Sequence, residues 1–199
     1  MALPATPYSC GYIGPAVLSI LKKLSVKRVV DLGAGSGTLC AEMKANGFDA
    51  VGVEYDAGGV AIARTQHPKI NFYQFVVQKD PKDLLALEAP FDAVVSTKVI
   101  EHLFSPHLLP TFAAGVLKPG GKLIITTPYH GYLKNLALSV FNAWDKHHCA
   151  LWHGGHIKFW SRQTLTELLE SNGFIVEAFS GVGRFPYLWK SMILVARKK

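Results

Sequence analysis

Short apolar segments of strand length alternate with segments of helical periodicity along most of this chain, and this alternation is the strongest constraint on its fold. Segments such as VVDL, AVVS and LIIT lack the polar alternation of a half-exposed strand. Strands of that kind are buried on both faces of a sheet, and the helices between them connect parallel neighbours. The pattern therefore predicts an α/β fold, with helices on both faces of a mostly parallel sheet.

The predicted strands and their connections set the domain organisation. The strand segments are residues 26–32, 50–53, 70–77, 91–96, 122–127, 174–179 and 189–196. Only about ten residues join the last two, which is too few for a parallel crossover, so the final strand is predicted to be antiparallel. A chain of 199 residues suits one domain, predicted over 1–199. A segment rich in histidine and aromatic residues interrupts it at about 128–160, and its length indicates a functional insertion.

Composition and charge narrow the function classes. With 49% hydrophobic and 18% charged residues, the chain is not disordered. The net charge of +7 lies in residues 98–199, which carry twelve Lys and Arg against five Asp and Glu. Such a surplus favours an anionic partner, with a contribution to solubility as the alternative. The sequence has no membrane-length apolar run, no secretion signal and no disulfide or metal spacing among its three cysteines, which predicts a cytoplasmic protein without a membrane span.

A glycine-rich loop, Gly33-Ala34-Gly35-Ser36-Gly37, follows the first strand. It lacks the lysine of a phosphate loop, and position 38 is threonine where a dinucleotide loop has its third glycine. Asp31 would oppose a pyrophosphate and favours a cation, which suits a nucleoside that carries an amine. Glu54 ends the second strand, where a carboxylate can accept hydrogen bonds from both ribose hydroxyls; a solvated carboxylate is the alternative.

These segments carry a family resemblance. DLGAGSG at 31–37, Glu54, FDAVVS at 91–96 and LKPGG at 117–121 resemble class I S-adenosylmethionine-dependent methyltransferases. VIEHL at 99–103 is most similar to the branch of ubiquinone-biosynthesis O-methyltransferases. The resemblance implies a Rossmann-like, seven-stranded sheet with an antiparallel last strand, S-adenosylmethionine as cofactor, and methyl transfer to oxygen of a small-molecule acceptor. It implies these cofactor-binding residues: Asp31, Gly33, Ala34, Gly35, Gly37, Glu54, Tyr55, Asp80, Ser96, Thr97 and Lys98.

Two alternative functions remain open from the sequence. One is RNA methylation, which the basic charge and the aromatic residues suggest. However, no RNA-binding module fits in the chain and its Lys and Arg residues are dispersed, so nucleic acid is not the expected partner. A protein that binds the cofactor without turnover, as a partner subunit, is the other. The oligomeric state is open.

The resemblance also raises the question of a metal and of a catalytic base. In the resembled branch a Glu-x-x-Glu-His pattern can ligate a divalent metal, but position 98 is lysine in Lys98-Val99-Ile100-Glu101-His102. A protonated lysine has no lone pair, and the pair His147-His148 lacks a further ligand at zinc spacing, so no metal is expected. Histidine titrates nearest neutrality. The candidate general bases are therefore His102, His130, His153 and His156, with hydrogen bonding inside the insertion as the alternative role.

The insertion is expected to cover the acceptor and exclude water. Its apolar residues predict a short amphipathic helix: Leu136, Leu138, Val140, Phe141 and Trp144. Its aromatic residues suit an aromatic acceptor. Four basic residues are candidates to hold an anionic group, with a solvated surface as the alternative: Lys134, Lys158, Arg162 and Arg184.

Overall fold

The fold is built on one seven-stranded β-sheet. The computed structural model describes residues 10–148, 151 and 154–199. Its seven strands have the order β3-β2-β1-β4-β5-β7-β6. They are β1 (Arg28–Leu32), β2 (Asp49–Glu54), β3 (Asn71–Gln74), β4 (Phe91–Thr97), β5 (Leu117–Pro128), β6 (Phe174–Val182) and β7 (Ser191–Lys198). Strands β1 to β5 pair in parallel, whereas β7 lies antiparallel between β5 and β6. The predicted α/β fold and the antiparallel last strand are confirmed.

Helices cover both faces of this sheet. They are α1 (Cys10–Lys23), α2 (Thr38–Ala45), α3 (Ala57–Gln66), α4 (Pro81–Leu85), α5 (Leu108–Val116), α6 (Tyr132–Val140), α7 (Trp144–His148) and α8 (Arg162–Ser171). On one face, α1, α2 and α3 bury Val17, Met43 and Val60. On the other face, α5 and α8 bury Phe112 and Leu165. Since β1 and β4 contribute to both cores, they lie in the middle of the structure, as their unbroken apolar runs predicted.

Some strand ends differ from the sequence prediction for local reasons. Strand β1 begins two residues later because the N–H groups of Lys27 and Arg28 donate to the Asp92 carboxylate, at 3.0 and 2.8 Å. Strand β7 begins at Ser191 rather than 189 because Tyr187, with φ of 64°, lies in the turn that precedes it. These differences move the ends of strands without changing their pairing.

The helix predicted in the insertion forms, but three of the five apolar side chains that predicted it are exposed, while Leu138 and Trp144 are half-buried. Leu136, Val140 and Phe141 are exposed, and the buried residue of α6 is Lys134. The Lys134 Nζ donates to the main-chain oxygen of Tyr129 at 2.7 Å. The predicted helix is thus confirmed over Tyr132–Val140, and its one buried residue is a lysine whose ammonium has a main-chain acceptor. Within the described residues, no helix has the length and apolar character needed to cross a membrane.

Candidate active site

A cavity of about 240 Å³ lies at the carboxyl ends of β1 and β4, where ligands bind in open α/β sheets. Among the predicted cofactor-binding residues, six line it: Asp31, Gly33, Ala34, Gly35, Thr97 and Lys98. The remaining lining residues are Ile13, Gly14, Ser36, Thr38, Leu39 and Glu42. The glycine loop and the end of β4 therefore meet at one site, as their places in the sequence implied.

The glycine loop is shaped by backbone conformation. Gly33, Gly35 and Gly37 all have positive φ, between 53° and 90°, a region that other residues rarely adopt. The N–H groups of Gly33 and Ala34 donate to the Val53 oxygen at 2.8 and 3.0 Å, which ties the loop to β2. A side chain at position 33 would collide with Val99. The loop consequently needs glycine both for its turn and for its packing.

The Glu54 carboxylate is hydrogen-bonded to the main chain of the glycine loop. Its Oε2 accepts a hydrogen bond from the Gly35 N–H at 2.8 Å, and its Oε1 accepts from the N–H groups of Tyr55 and Asp56 at 2.9 and 3.0 Å. A carboxylate has about four lone-pair sites, so these three bonds leave about one for a ligand. The predicted contact with both ribose hydroxyls thus requires one of the main-chain bonds to give way. Glu54 is a structural carboxylate as well as a predicted ligand contact.

Asp31 gives the cavity a titratable acid. The residue is 1% exposed, its Oδ1 has no hydrogen-bond partner among the described residues, and its Oδ2 accepts from the Cys40 thiol at 3.9 Å. Burial, and then the neighbouring Glu54 carboxylate, raise the pKa of Asp31 to about 7. A ligand that brought a positive charge would relieve both effects. This site is therefore suited to a cation.

The other predicted cofactor contacts have different positions. Ser96 is fully buried and donates to the Leu32 oxygen at 2.9 Å. Tyr55 is 71% exposed, so only its main chain takes part in the Glu54 network. Gly37 precedes α2 and packs against Phe72. Asp80 is exposed and caps α4 by accepting the Lys82 N–H at 2.9 Å, so its predicted adenine contact stays a prediction. None of these four residues lines the cavity.

Sequence reasoning missed the helical wall of the cavity. Ile13 and Gly14 come from α1, and Glu42 comes from α2. Gly14 lies so close to Glu42 that a Cβ at position 14 would contact its carboxylate. The only sequence signal was a short residue, Gly14, on the apolar face of a helix. Asp31 and Glu42 give the lining two carboxyl groups against one ammonium group, that of Lys98.

Lys98 lines this cavity directly after β4. Its backbone has φ of 60°, and its N–H donates to the Thr126 oxygen at 3.1 Å. Burial lowers the pKa of Lys98 to about 8, and the Glu101 carboxylate partly opposes this shift. A cation with reduced hydration thus lies at the edge of the cavity.

Glu101, His102 and His156 converge beside Lys98. The candidate ligand atoms of the three side chains lie within 4.8 Å of one another. Glu101 is 0% exposed, and its Oε2 accepts from the Thr127 hydroxyl at 3.1 Å. Its Oε1 lies 4.0 Å from His156 Nε2. Burial raises the pKa of Glu101, and the Lys98 charge lowers it in part. Two of the predicted base residues are therefore neighbours.

The remaining predicted bases are arranged differently. His130 is buried among the rings of His147, His148 and Phe159, with centroids 5.2 to 5.9 Å away. Burial, and then Lys134 and the neighbouring histidines, lower the pKa of His130 to about 3. The pKa of His156 is lowered to about 4, again chiefly by burial. Both rings are neutral near pH 7 and are weaker bases than a general base tuned to that pH. His153 lies outside the described residues.

The possible metal ligands of this chain can be compared with the metal-binding pattern of the resembled branch. With lysine at position 98, the Glu-x-x-Glu-His pattern lacks one carboxylate, so that ligand set is incomplete. The fold instead brings His156, 54 positions after His102, to the same carboxylate. Glu101 and His102 are the residues of the branch's pattern that this chain retains, and His156 lies beside them although it is distant in sequence.

Curated relatives support a family assignment by sequence. The chain is 30% identical over 176 residues to a ubiquinone biosynthesis O-methyltransferase of Bradyrhizobium sp. (strain ORS 278), which covers 84% of this chain and 66% of that protein. It is 31% identical over 175 residues to the mitochondrial ubiquinone biosynthesis O-methyltransferase of Rattus norvegicus, covering 83% of this chain and 49% of that protein. The chain thus spans between half and two thirds of the length of these relatives.

Solved structures support the fold. A magnesium protoporphyrin IX methyltransferase from Synechocystis PCC 6803 with bound SAH has a TM-score of 0.70 at 16% identity, covering 94% of this chain and 82% of that one. An S-adenosylmethionine dependent methyltransferase from Mesorhizobium loti has a TM-score of 0.68 at 18% identity, covering 92% and 96%. A methyltransferase-domain family profile matches residues 11–178. This chain belongs to the methyltransferase-domain family.

Proposed function

We propose that this protein is an S-adenosylmethionine-dependent methyltransferase that acts on oxygen of a small-molecule acceptor. The observation that carries the proposal is the cavity at the carboxyl ends of β1 and β4, with the carboxyl groups of Asp31 and Glu42 in its wall, Lys98 at its edge and Glu54 bound to the glycine loop. S-adenosylmethionine carries an ammonium and a sulfonium on a nucleoside, which suits such a wall. The names of the curated relatives and of the SAH-bound structural neighbour support the same reaction.

The cofactor supplies a methyl group that is already activated, so the chain has to bind, orient and exclude water. The ionised Asp31 carboxylate would pair with a positive group of the ligand. The loop from Gly33 to Gly37 would let its main chain approach the ligand closely, because glycine has no Cβ. The Glu54 carboxylate would hold a ribose hydroxyl with its remaining lone pair while it keeps Gly35 in place.

The region where we expect the acceptor to bind contains the positive charges of Lys98, Lys134 and Arg184, which supports an anionic acceptor. The Lys134 ammonium is buried, and the described residues place no carboxylate against it. Burial first, and then the charges of Lys98 and Arg184, lower the pKa of Lys134 to about 8. An acceptor that carries a carboxylate or a phenolate would balance these charges. Lys98 is the cation nearest to the cofactor cavity, since it also lines that cavity.

Calorimetry tests the proposed cofactor. The purified chain is titrated with S-adenosylmethionine and S-adenosylhomocysteine, and binding of both is expected. Glu54→Ala should weaken binding at least tenfold, since a charge-assisted hydrogen bond contributes about 1.5 to 3 kcal/mol. Glu170→Ala is the matched control, because Glu170 is an exposed carboxylate on α8. Absence of binding, or equal affinity in the wild type and Glu54→Ala, would overturn the proposal.

Methyl transfer is then measured with labelled cofactor and a set of small phenols and aromatic carboxylates. We expect label in at least one oxygen acceptor and a preference for anionic members of the set. Binding of the cofactor without transfer to any acceptor would instead favour a non-catalytic partner protein.

A further inference from the structure

Positive groups meet at the end of β5 and the start of α6, where the described residues supply no carboxylate against them. We propose that Lys134, Arg184 and the first turn of α6 form a binding site for a phosphate monoester group of the methyl acceptor. The site follows the carboxyl end of β5, beside β4, whose carboxyl end borders the cofactor cavity. The assignment to the acceptor rests on the proposed function, whereas the chemistry of the ligand does not.

The buried Lys134 ammonium is the first argument. The residue is 6% exposed, and its Nζ donates to the Tyr129 main-chain oxygen at 2.7 Å. An ammonium has three N–H donors, so this bond leaves two for a ligand. Within the described residues, no carboxylate forms an ion pair with Lys134. Because a buried charge is strongly disfavoured unless it is paired, an anionic ligand would stabilise this ammonium.

The position of the ammonium on α6 is the second argument. Lys134 belongs to the first turn of the helix, and its bond to Tyr129, which precedes the helix, brings Nζ to the N-terminal end. The unpaired N–H groups of a helix N-terminus carry a partial positive charge, which favours anions and disfavours cations. No acidic residue lies in this turn, and the N-cap residue Gly131 offers no side-chain acceptor. The helix dipole and the lysine charge therefore add, and one anion would balance both.

The charges that act on Lys134 are the third argument. After burial, the positive charges of Lys98 and Arg184 lower the pKa of Lys134. The Glu101 carboxylate acts on Lys98 and partly neutralises it. Arg184 lies in the turn between β6 and β7 and forms no ion pair with any residue that the structure describes. Lys134 and Arg184 thus contribute two positive charges without a counter-charge in this part of the chain.

Neutral histidine rings add hydrogen-bond donors beside this site. The rings of His130, His147 and His148 have centroids 5.2 to 5.9 Å apart. After burial, the Lys134 charge lowers the pKa of each ring, so all three lie within electrostatic reach of the ammonium. A neutral imidazole has one N–H and one lone pair. These rings can therefore donate to ligand oxygens without adding charge to the site.

The number of charges selects the class of anion. A phosphate monoester carries about −1.5 to −2 charges at pH 7 and has three strong acceptor oxygens, which matches two cations and several N–H donors. A carboxylate carries one charge, and so does each phosphodiester of an RNA backbone, so either would leave one cation unbalanced. A guanidinium such as that of Arg184 also binds phosphate oxygens in pairs. We therefore expect a phosphorylated small molecule.

The ligand class is tested by calorimetry on the full chain without cofactor at pH 8. The probes are phenyl phosphate, its singly charged methyl diester and benzoate, which share one aromatic ring. Phenyl phosphate is expected to bind at least tenfold more tightly than either singly charged probe. An anion raises the pKa of Lys134 from about 8, so binding should take up about half a proton, counted in two buffers of different ionisation enthalpy. Absence of phenyl phosphate binding, or equal affinity for benzoate, overturns the proposal.

Variants locate the bound phosphate. Lys134→Met and Arg184→Ala should each weaken phenyl phosphate binding at least tenfold, and Lys134→Met should also abolish the proton uptake. Arg184→Lys keeps the charge and should lose less affinity than Arg184→Ala. Lys69→Met is the matched control, because Lys69 is an exposed lysine before β3, at the opposite edge of the sheet. Urea unfolding reports whether each variant is folded, and unchanged affinity in folded Lys134→Met or Arg184→Ala, or equal loss in the control, overturns the proposal.

The role of the site in methyl transfer is measured separately with labelled S-adenosylmethionine. We expect kcat/KM for para-hydroxyphenyl phosphate to exceed that for para-hydroxybenzoate at least tenfold, and Lys134→Met to lose this preference. A preference for para-hydroxybenzoate in the wild type overturns the proposal. Failure of S-adenosylhomocysteine to bind, together with the expected binding of phenyl phosphate, would instead overturn the proposed function and leave the phosphate site in place.

Discussion

Replacement of Asp31 by asparagine is expected to remove a pH dependence of cofactor binding that the wild type shows. Asp31 is 1% exposed, and burial followed by the Glu54 charge raises its pKa to about 7 in the unliganded chain. Binding of a positively charged ligand requires the carboxylate form. At pH 5, two units below that pKa, about one molecule in a hundred carries the charge, since each unit is a factor of ten.

The expected magnitude follows from that fraction. In the wild type, the Kd for S-adenosylhomocysteine should rise roughly a hundredfold between pH 8 and pH 5. In Asp31→Asn the same change should be less than about threefold, because Asp31 no longer has to ionise and Lys98, whose pKa of about 8 lies at the upper limit of this range, loses at most about half of its charge. Calorimetry in two buffers of different ionisation enthalpy counts the proton that the wild type releases below pH 7. A flat wild-type profile, or equal slopes in both proteins, refutes the reasoning.

Ionisation of the same carboxyl group strengthens cofactor binding as pH rises but makes the folded chain less stable. The folded-state pKa of about 7 lies above the unfolded value of about 3.9. Between these values the native chain binds more protons than the unfolded chain, so the free energy of unfolding falls as pH rises from about 4 to about 7. The free energy of unfolding falls by at most about 4 kcal/mol over this range, because each unit of difference between the two pKa values contributes about 1.4 kcal/mol. Urea unfolding should show this slope in the wild type and lack it in Asp31→Asn.

Two further perturbations test the acceptor side and the loop. Lys134 has a folded-state pKa of about 8, below its unfolded value, so the free energy of unfolding should rise between about pH 8 and about pH 10.5. In urea unfolding, Lys134→Met should remove this rise, which is at most about 3 kcal/mol. Equal pH dependence in the wild type and the variant would contradict the prediction. Gly33→Ala should destabilise the chain by about 2 to 4 kcal/mol, from its positive φ and its collision with Val99. Gly47→Ala, with φ of 88° and open space, is the matched control and should cost only about 1 to 2 kcal/mol; equal losses would exclude the collision.

Local sequence patterns predicted the sheet because they reflect local physics. The apolar runs of β1 and β4 are buried on both faces, so their place in a mostly parallel sheet could be inferred before any contact was known. The ten-residue connection before β7 was enough to predict its antiparallel direction. The glycine loop and Asp31 were recognisable for the same reason, since positive φ and a buried acid at a strand end both depend on residues close in sequence.

Sequence patterns were insufficient where the packing of the folded chain decided the outcome. The apolar residues of the insertion predicted an amphipathic helix but not its buried side, and the residue that α6 buries is Lys134, whose ammonium donates to the Tyr129 oxygen. Glu42 gave no signal of its own, and it lines the cavity only because α1 and α2 pack side by side.

The sequence by itself determined the alternating α/β architecture, the glycine turn and the carboxylates at the ends of the first two strands, because each depends on neighbours within a few residues. The tertiary structure alone decided that His156 lies beside Glu101 and His102. That approach depends on main-chain hydrogen bonds between residues more than fifty positions apart, and no periodicity in the chain encodes them.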